Sequence, residues 1–204
     1  MKSDIKNYFT VCVISIIVFI GIMASVILNK LYFIDSYVHS YFLFLSSSDV
    51  ARVAGVFTHL ADTLVVVIAI ALLCSFLLIK KRYSVLIFTI FTSVSGFIVV
   101  SGLKILVHRV RPEGVLFIEK GFSFPSGHAF KAMIFVLILW FVLVRNWKSK
   151  SLKKVFYLFT SLFVLLIAFS RIVMGVHWFS DVFAGLVFGI FWFSLCILIY
   201  SNWQ

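Results

Sequence analysis

The sequence contains few charged residues. They make up 12% of the 204 residues, and only seven of them are acidic. A water-soluble domain of average composition carries about 25% charged residues, whereas 63% of this chain is hydrophobic, so a soluble globule is excluded. Disordered chains have low hydrophobicity, so the same composition excludes disorder.

Cysteine and proline are also scarce. Cys12, Cys74 and Cys196 each lie inside a long apolar run, where we interpret them as small buried hydrophobic residues. A disulfide framework or a zinc site would need cysteines grouped at characteristic spacings, which this chain lacks. Pro112 and Pro125 both fall in connecting segments, which leaves the apolar runs free of helix-breaking residues.

Six apolar stretches are long enough to cross a membrane. A bilayer core about 30 Å thick is spanned by roughly 20 apolar residues in an α-helix. The sequence therefore predicts an all-α integral membrane protein, with six transmembrane helices in one bundle and a single domain over residues 1–204. We expect the first span to be a retained anchor, since it is too long for a cleaved signal peptide. The predicted spans are 8–29, 60–79, 83–107, 126–144, 153–170 and 181–202.

The basic residues are divided unequally between the two sides of this layout. Ten of them lie before the first span and in connections 80–82 and 145–154, opposed only by Asp4. The other side holds eight basic and six acidic residues. Cytoplasmic loops are enriched in Lys and Arg, so we expect both termini in the cytoplasm. The net charge of +11 thus reflects topology, and no basic face suited to nucleic acid is present.

The longest outer connection, 31–58, contains two recognisable segments. The aromatic-rich stretch from Tyr32 to Leu45 is predicted to lie in the membrane interface as an amphipathic segment. The run from Ser46 to Asp49 is typical of an N-cap, which predicts a short helix after it.

A first polar cluster lies at the outer end of the third span. Lys104 and Arg111 are seven residues apart, or two helical turns, and therefore share a helix face until Pro112 ends the helix. Two such cations can hold one anion, and arginine can donate two parallel hydrogen bonds to phosphate. Cations at a helix C-terminus also complement the helix dipole, which is an open alternative.

A second cluster, Pro125-Ser126-Gly127-His128, opens the fourth span. We expect the backbone N–H groups of Ser126 and Gly127 to point towards an anion together with the positive end of the helix. His128, in the first turn, could give a proton to a leaving oxygen. The alternative is a serine-capped helix with an interfacial histidine.

A third cluster joins the last two spans. His177 and Asp181 are four residues apart and would face the same way on a helix, where the carboxylate would fix the histidine tautomer. The free ring nitrogen could then act as a nucleophile or a base. Arg171 adds a third cation. The alternative is a structural pair with Asp181 as helix cap.

Together these clusters contain the groups that phosphoryl transfer requires. The charge count places all three on the same side of the membrane. They supply three cations, backbone donors, one acid and one oriented nucleophile. In-line phosphoryl transfer depends mainly on positioning and charge neutralisation, which such groups provide.

The residues resemble the type 2 phosphatidic acid phosphatase (PAP2) superfamily. Its three-part pattern is Lys-x6-Arg-Pro, Pro-Ser-Gly-His and Ser-Arg-x5-His-x3-Asp. Here the pattern runs from Lys104 to Pro112, from Pro125 to His128 and from Ser170 to Asp181, with every fixed position present. The resemblance implies a six-helix membrane fold and an enzyme that needs no metal and no cofactor. Soluble acid phosphatases and vanadium haloperoxidases share the pattern, but the apolar composition excludes them.

The resemblance also implies roles for the site residues. His177 would form a phosphohistidine, Asp181 would orient it, and His128 would protonate the leaving group and then activate water. The phosphate oxygens would be held by Lys104, Arg111, Ser126, Gly127 and Arg171.

Three further residues are candidates for substrate selection. Lys131 lies one turn after His128 and is predicted to hold a second phosphate or a phosphate-rich headgroup, unless it snorkels outwards. His108 and Arg109 make the end of the third span basic, which suggests contact with an acidic headgroup.

The predicted function is a lipid phosphatase acting at the outer face of a plasma membrane, by analogy a bacterial inner membrane. The substrate would be an isoprenyl diphosphate, phosphatidylglycerol phosphate, phosphatidic acid or a lipid A phosphate held in the bilayer. A lipid phosphotransferase with the same intermediate is an open alternative. An anion transporter is disfavoured, since transporters place such groups near the midplane and often in repeated halves.

Overall fold

The computed structural model describes residues 2–45, 48–113 and 119–201, which contain helices and connections but no strand. Eight α-helices lie in these ranges. They are α1 (Lys2–Ile27), α2 (Tyr32–Leu45), α3 (Ser48–His59), α4 (Thr63–Ile79), α5 (Tyr83–Val107), α6 (Gly127–Leu139), α7 (Lys150–Val173) and α8 (Phe179–Ser201). Helix α6 continues into a π-helical segment, Trp140–Val144. The predicted cap at Ser46 and Ser47 lies outside the described residues.

Six helical stretches of the described chain are long and apolar enough to cross a membrane, which confirms the predicted fold. Many of their large apolar side chains face outwards: Leu64, Leu158 and Phe159 are 70–73% exposed, as expected for lipid-facing positions. The second stretch begins at Arg52 and not at residue 60, because part of α3 joins α4 in it. The stretches are Ile5–Ile27, Arg52–Ile79, Tyr83–Val107, Gly127–Val144, Lys150–Val173 and Phe179–Ser201.

Helix α8 packs against both α1 and α6. Two glycines four residues apart, a spacing typical of close helix contact, allow the approach to α6. A Cβ atom at Gly185 would lie 2.5 Å from the Ser126 carbonyl oxygen, and one at Gly189 would lie 2.9 Å from Met133. The contact at Gly185 therefore holds the start of α6, where the Pro-Ser-Gly-His sequence lies.

Helix α2 is fastened to the start of α8 by a buried carboxylate. Asp35 is fully buried, and its Oδ1 accepts a hydrogen bond from the Ser180 backbone N–H at 2.9 Å. Its Oδ2 accepts a second bond from the Ser180 hydroxyl at 2.6 Å. Helix α2 also packs against α7, so it is held at the end of the bundle where the polar clusters meet.

The three cysteines are free. Cys12 and Cys196 are buried and Cys74 is half-buried, each within an apolar helix.

Four helix ends meet at one end of the bundle. The Ser126 backbone N–H, next to the start of α6, donates to the Asp181 carbonyl of α8 at 2.9 Å. At the end of α7, Arg171 donates to the Thr58 hydroxyl of α3 at 2.8 Å. These contacts bring the second and third polar clusters and the end of α3 to one place.

Candidate active site

A cavity of about 270 Å³ opens between these helix ends. Its lining includes Glu119 and Thr63 together with six of the predicted site residues, Lys104, Arg111, Gly127, His128, Lys131 and His177. Ser126, Arg171 and Asp181 are buried beside this lining, at 0–3% exposure. The structure thus brings nine of the eleven predicted residues to one site.

His177 lies in the turn between α7 and α8 and is only 2% exposed. Its Nε2 atom is 3.2 Å from Nη1 of Arg111. A guanidinium has only donors, so Nε2 must be the acceptor and carries a lone pair. In the neutral ring the proton therefore lies on Nδ1. Nε2 is therefore the ring nitrogen that carries the lone pair.

Burial lowers the pKa of His177 well below its ordinary value of 6.5, and the nearby positive charges of Arg171, Lys104 and Arg111 lower it further. The ring is consequently neutral near pH 7. A neutral imidazole retains the lone pair that a nucleophile needs.

Asp181 is close to His177 but is bonded to other groups. Its Oδ2 lies 3.6 Å from His177 Nδ1, which is longer than a hydrogen bond, and accepts one from the Trp178 backbone N–H at 3.0 Å. Its Oδ1 accepts from Arg109 at 2.5 Å. The sequence predicts that His177 and Asp181 share one helix face. In the structure they do not lie on the same helix, because His177 precedes α8 and Asp181 lies in its first turn.

Arg109 bridges two buried carboxylates. Besides Asp181, it donates to Oδ2 of Asp35 at 2.6 Å, and its side chain is only 13% exposed. The predicted contact with an acidic headgroup stays a prediction, since these protein partners hold the guanidinium.

His108 ends α5 in a left-handed conformation, with φ of 51°, and its ring lies against Phe122. Arg109 and His108 line a neighbouring cavity of about 630 Å³.

The three cations of the family pattern lie in or beside the cavity lining, and each is held by a protein oxygen. Lys104 donates to the Phe122 carbonyl at 2.8 Å. Arg111 donates to the Val176 carbonyl at 2.7 Å, and Arg171 is held by Thr58. Such contacts fix the positions of long side chains in advance, which lowers the entropic cost of binding an anion.

A carboxylate of the protein lies between two of these cations. Oε2 of Glu119 is 3.3 Å from Nη1 of Arg111 and accepts a hydrogen bond from Nη2 of Arg171. The same Arg111 nitrogen contacts Nε2 of His177. The two guanidinium groups therefore define a position for a negatively charged group directly beside Nε2 of His177.

The Pro-Ser-Gly-His turn differs in one respect from the sequence-based expectation. The Ser126 backbone N–H is engaged by the Asp181 carbonyl and is not directed at an anion. The Ser126 hydroxyl is buried and has no hydrogen-bond partner among the described residues. The hydroxyl, and not the backbone N–H, is therefore the donor of Ser126 that no described residue engages.

His128 and Lys131 both contact the start of α4. Nε2 of His128 lies 3.0 Å from Oδ1 of Asp62. Lys131 donates to the Thr63 hydroxyl at 2.9 Å and is buried, so it does not snorkel outwards. The predicted contact of Lys131 with a second phosphate stays a prediction, supported by its place in the cavity lining.

Sequence reasoning did not identify three acidic residues of this site, Asp35, Asp62 and Glu119, as functional. The available signal was a lone acid in or beside an apolar segment, since an ionisable group near a bilayer is costly without a partner. That signal marks such a residue as important but does not indicate its partner.

Among the described residues, no group of three or more His, Cys, Asp or Glu side chains is arranged to hold a metal ion.

The chain is thus an all-helical integral membrane protein with a histidine and arginine site at one end of its bundle. The family model described as the PAP2 superfamily matches residues 82–204, which is more than half of the chain. The chain belongs to the PAP2 superfamily, which confirms the resemblance seen in the sequence.

Known proteins resemble it over different lengths. Phosphatidylglycerophosphatase B of Bacillus subtilis (strain 168) is 37% identical over 86 residues, which cover 41% of this chain and 42% of that protein. The crystal structure of a transmembrane PAP2-type phosphatidylglycerolphosphate phosphatase from Bacillus subtilis has a TM-score of 0.81 at 23% identity, covering 95% of this chain and 97% of that one. The structure of Aquifex aeolicus LpxE has a TM-score of 0.59 at 20% identity, covering 83% and 95%. At these identities the two structures show a shared fold.

Proposed function

We propose that this protein is a membrane lipid phosphatase that acts through a phosphohistidine at His177. The observation that carries the proposal is the carboxylate of Glu119 held by Arg111 and Arg171. This position accepts an anion next to the lone pair of His177 Nε2. A phosphate group there would be neutralised by guanidinium groups and placed for in-line attack.

The reaction has two steps. Nε2 of His177 attacks phosphorus while the bond to the lipid oxygen breaks, and His128 gives that oxygen its proton. His128 then takes a proton from water, which attacks the phosphohistidine and releases phosphate. The net reaction consumes one water and returns both histidines to their starting states. Lys104, Arg111, Arg171, Gly127 and the Ser126 hydroxyl hold the phosphate oxygens, and no metal is required.

The substrate carries its phosphate at the membrane surface and its tail in the bilayer. The cavity supports this, because Phe97 and Val100 line it together with the cations. Phosphatidylglycerol phosphate is the first candidate, since the two Bacillus subtilis proteins are named for acting on it. Isoprenyl diphosphates, phosphatidic acid and lipid A phosphates have the same required chemistry.

The site faces the outside of the cell. The connections 80–82 and 145–154, at the opposite end of the transmembrane helices, together with the residues before the first span, contain ten of the 18 basic residues and only one acidic residue. The positive-inside rule therefore places the site on the extracellular or periplasmic side, with both termini in the cytoplasm.

Lys131 selects for a second phosphate in this proposal. Lys131→Met should lower activity on a lipid diphosphate about tenfold more than activity on a monophosphate, because the second phosphate loses a cation. The measurement is kcat/KM for the two substrates side by side. An unchanged ratio would contradict this role.

The test of the function is phosphate release by the detergent-purified protein in excess EDTA from a panel of lipid phosphates. We expect release from at least one lipid, abolished in His177→Ala and retained in His39→Ala, a histidine on α2 outside the cavity. Acid-labile phosphate on the wild-type protein should map to position 177. Activity that survives in His177→Ala, or that needs added metal, would overturn the proposal. Transfer of phosphate to a second lipid without release would favour the transferase.

A further inference from the structure

Asp62 stands at the N-cap position of α4 but does not cap the helix. Aspartate at this position usually accepts a hydrogen bond from the first backbone N–H groups. Here the side chain makes no such bond. Oδ1 contacts Nε2 of His128 at 3.0 Å, and Oδ2 contacts Nδ1 of His59 at 2.7 Å. Both carboxylate oxygens are therefore directed at histidine rings.

The three side chains form a line from the cavity to the surface. The exposed fraction is 14% for His128, 41% for Asp62 and 73% for His59. His128 lines the cavity, so the inner end of the line is the proposed acid and base of the reaction. Within the described part of the chain, His59 at the outer end does not contact the residues that line the cavity.

The charges around His128 make the carboxylate important. Lys131 of α6 and Arg171 of α7 both act on the ring as positive charges, and Glu119 acts as a negative charge without bonding to it. Asp62 is hydrogen-bonded to the ring. A general acid must carry a proton before the leaving group departs. The two cations disfavour the protonated ring of His128, whereas the bonded carboxylate of Asp62 favours it.

We infer that Asp62 is a positioning residue for His128, with His59 holding Asp62 in turn. This inference rests on the proposed function. Asp62 keeps a proton on Nε2 of His128, so Nδ1 is the atom that gives its proton to the leaving oxygen and later takes one from water. His59 donates from Nδ1 to the other carboxylate oxygen and fixes its orientation. Unlike Asp181, which stays 3.6 Å from the ring of His177, Asp62 contacts its histidine directly at 3.0 Å.

The contacts of Asp62 distinguish this role from structural support of α4. A capping role would use the backbone N–H groups of α4, which the side chain does not contact. The residue on the adjacent side, Thr63, binds Lys131 of α6. The start of α4 therefore contacts the two cavity residues of α6, His128 and Lys131.

The test compares two substrates in Asp62→Asn and Asp62→Ala. One is the lipid phosphate with the highest wild-type activity, whose alkoxide leaving group needs a proton. The other is p-nitrophenyl phosphate, whose leaving group does not. We expect lipid turnover to fall at least about tenfold, with Asp62→Ala lower than Asp62→Asn. His59→Ala should show the same pattern with a smaller effect.

The decisive measurement is the burst of nitrophenol in the first turnover. If only acid and base function is impaired, the variants keep a burst close to one per enzyme and then accumulate phosphohistidine, because water activation is slow. A loss of structure would lower burst and lipid turnover in parallel. Asp49→Asn, an exposed aspartate on α3 paired with Arg52, is the matched control and should behave as wild type.

The outcomes separate the two proposals. Parallel loss of burst and turnover, or unchanged lipid turnover in both Asp62 variants, would overturn the role of Asp62 and leave the phosphatase intact. Absence of phosphate release and of phosphohistidine in the wild-type protein would overturn the proposed function itself.

Discussion

Arg109 donates to Asp181 at 2.5 Å, whereas the ring of His177 stays 3.6 Å from the same carboxylate. The carboxylate is thus fixed by an arginine and by the Trp178 backbone N–H. Asp35 holds the other side of that arginine at 2.6 Å. The position of Asp181 therefore depends on an arginine that does not line the cavity.

Arg109→Gln should lower kcat about 10- to 100-fold with little change in KM, because the position of Asp181 is lost but the phosphate-binding cations remain. The measurement is steady-state kinetics on two lipids that differ in headgroup charge. Arg52→Gln, which changes an exposed arginine on α3, is the control. If KM rises for the acidic headgroup alone, Arg109 binds substrate, as the sequence first indicated.

Glu119→Gln should strengthen inhibition by vanadate or inorganic phosphate about 3- to 30-fold. The carboxylate of Glu119 engages the arginines that an incoming anion needs, and an amide competes less strongly for them. The inhibition constant is measured in competition with lipid substrate. Glu113→Gln, at an exposed position of the same connection, should leave the constant unchanged. Weaker inhibition in Glu119→Gln would contradict this expectation.

Gly185→Ala should destabilise the protein by about 1–3 kcal/mol and lower its activity, because the new methyl group would collide with the Ser126 carbonyl. Moving that carbonyl displaces the start of α6 and His128 with it. Thermal unfolding in detergent gives the stability change. Gly21→Ala, where nothing lies within 4 Å, should be neutral or slightly stabilising. Equal melting temperatures for the two variants would show that the contact relaxes freely.

The pKa of His177 should be found below 6.5, so its ring stays neutral as the pH falls through that value. The unfolded chain takes up the proton first, so the contribution of His177 to stability is present above pH 6.5 and decreases on acidification. Titration by ¹⁵N NMR of histidine-labelled protein checks this directly. Lys104→Met should raise the pKa of His177, because one of the opposing positive charges is removed. A ring that titrates at or above 6.5 would contradict the expected burial.

The membrane fold was predictable from the sequence because it follows from the length of the apolar stretches. The apolar stretches match the thickness of a bilayer, and the structure confirms six helices that suit it. The family was predictable for a related reason, since its fixed residues lie at short spacings within three segments of the sequence. The start of the second membrane-compatible stretch at Arg52 was not predicted, because this stretch includes part of α3 as well as α4, and composition alone does not locate the turn between them.

Most hydrogen-bond partners of the site residues could not be predicted from the sequence. His128 and Asp62 are 66 residues apart, and Asp35 and Ser180 are 145 apart. The Ser126 backbone N–H was expected to face an anion, but α8 lies close enough to engage it. Such contacts depend on how helices approach each other, and no periodicity within one segment contains that information.

By itself, the sequence determined the environment of this protein and the residue types of its site, because apolar length and local spacing act within single segments. Only the tertiary structure decided which nitrogen of His177 contacts Arg111 and which acids lie beside the two histidines. Those decisions depend on distances between helix ends, and one such distance is the close approach of α6 to α8 at Gly185.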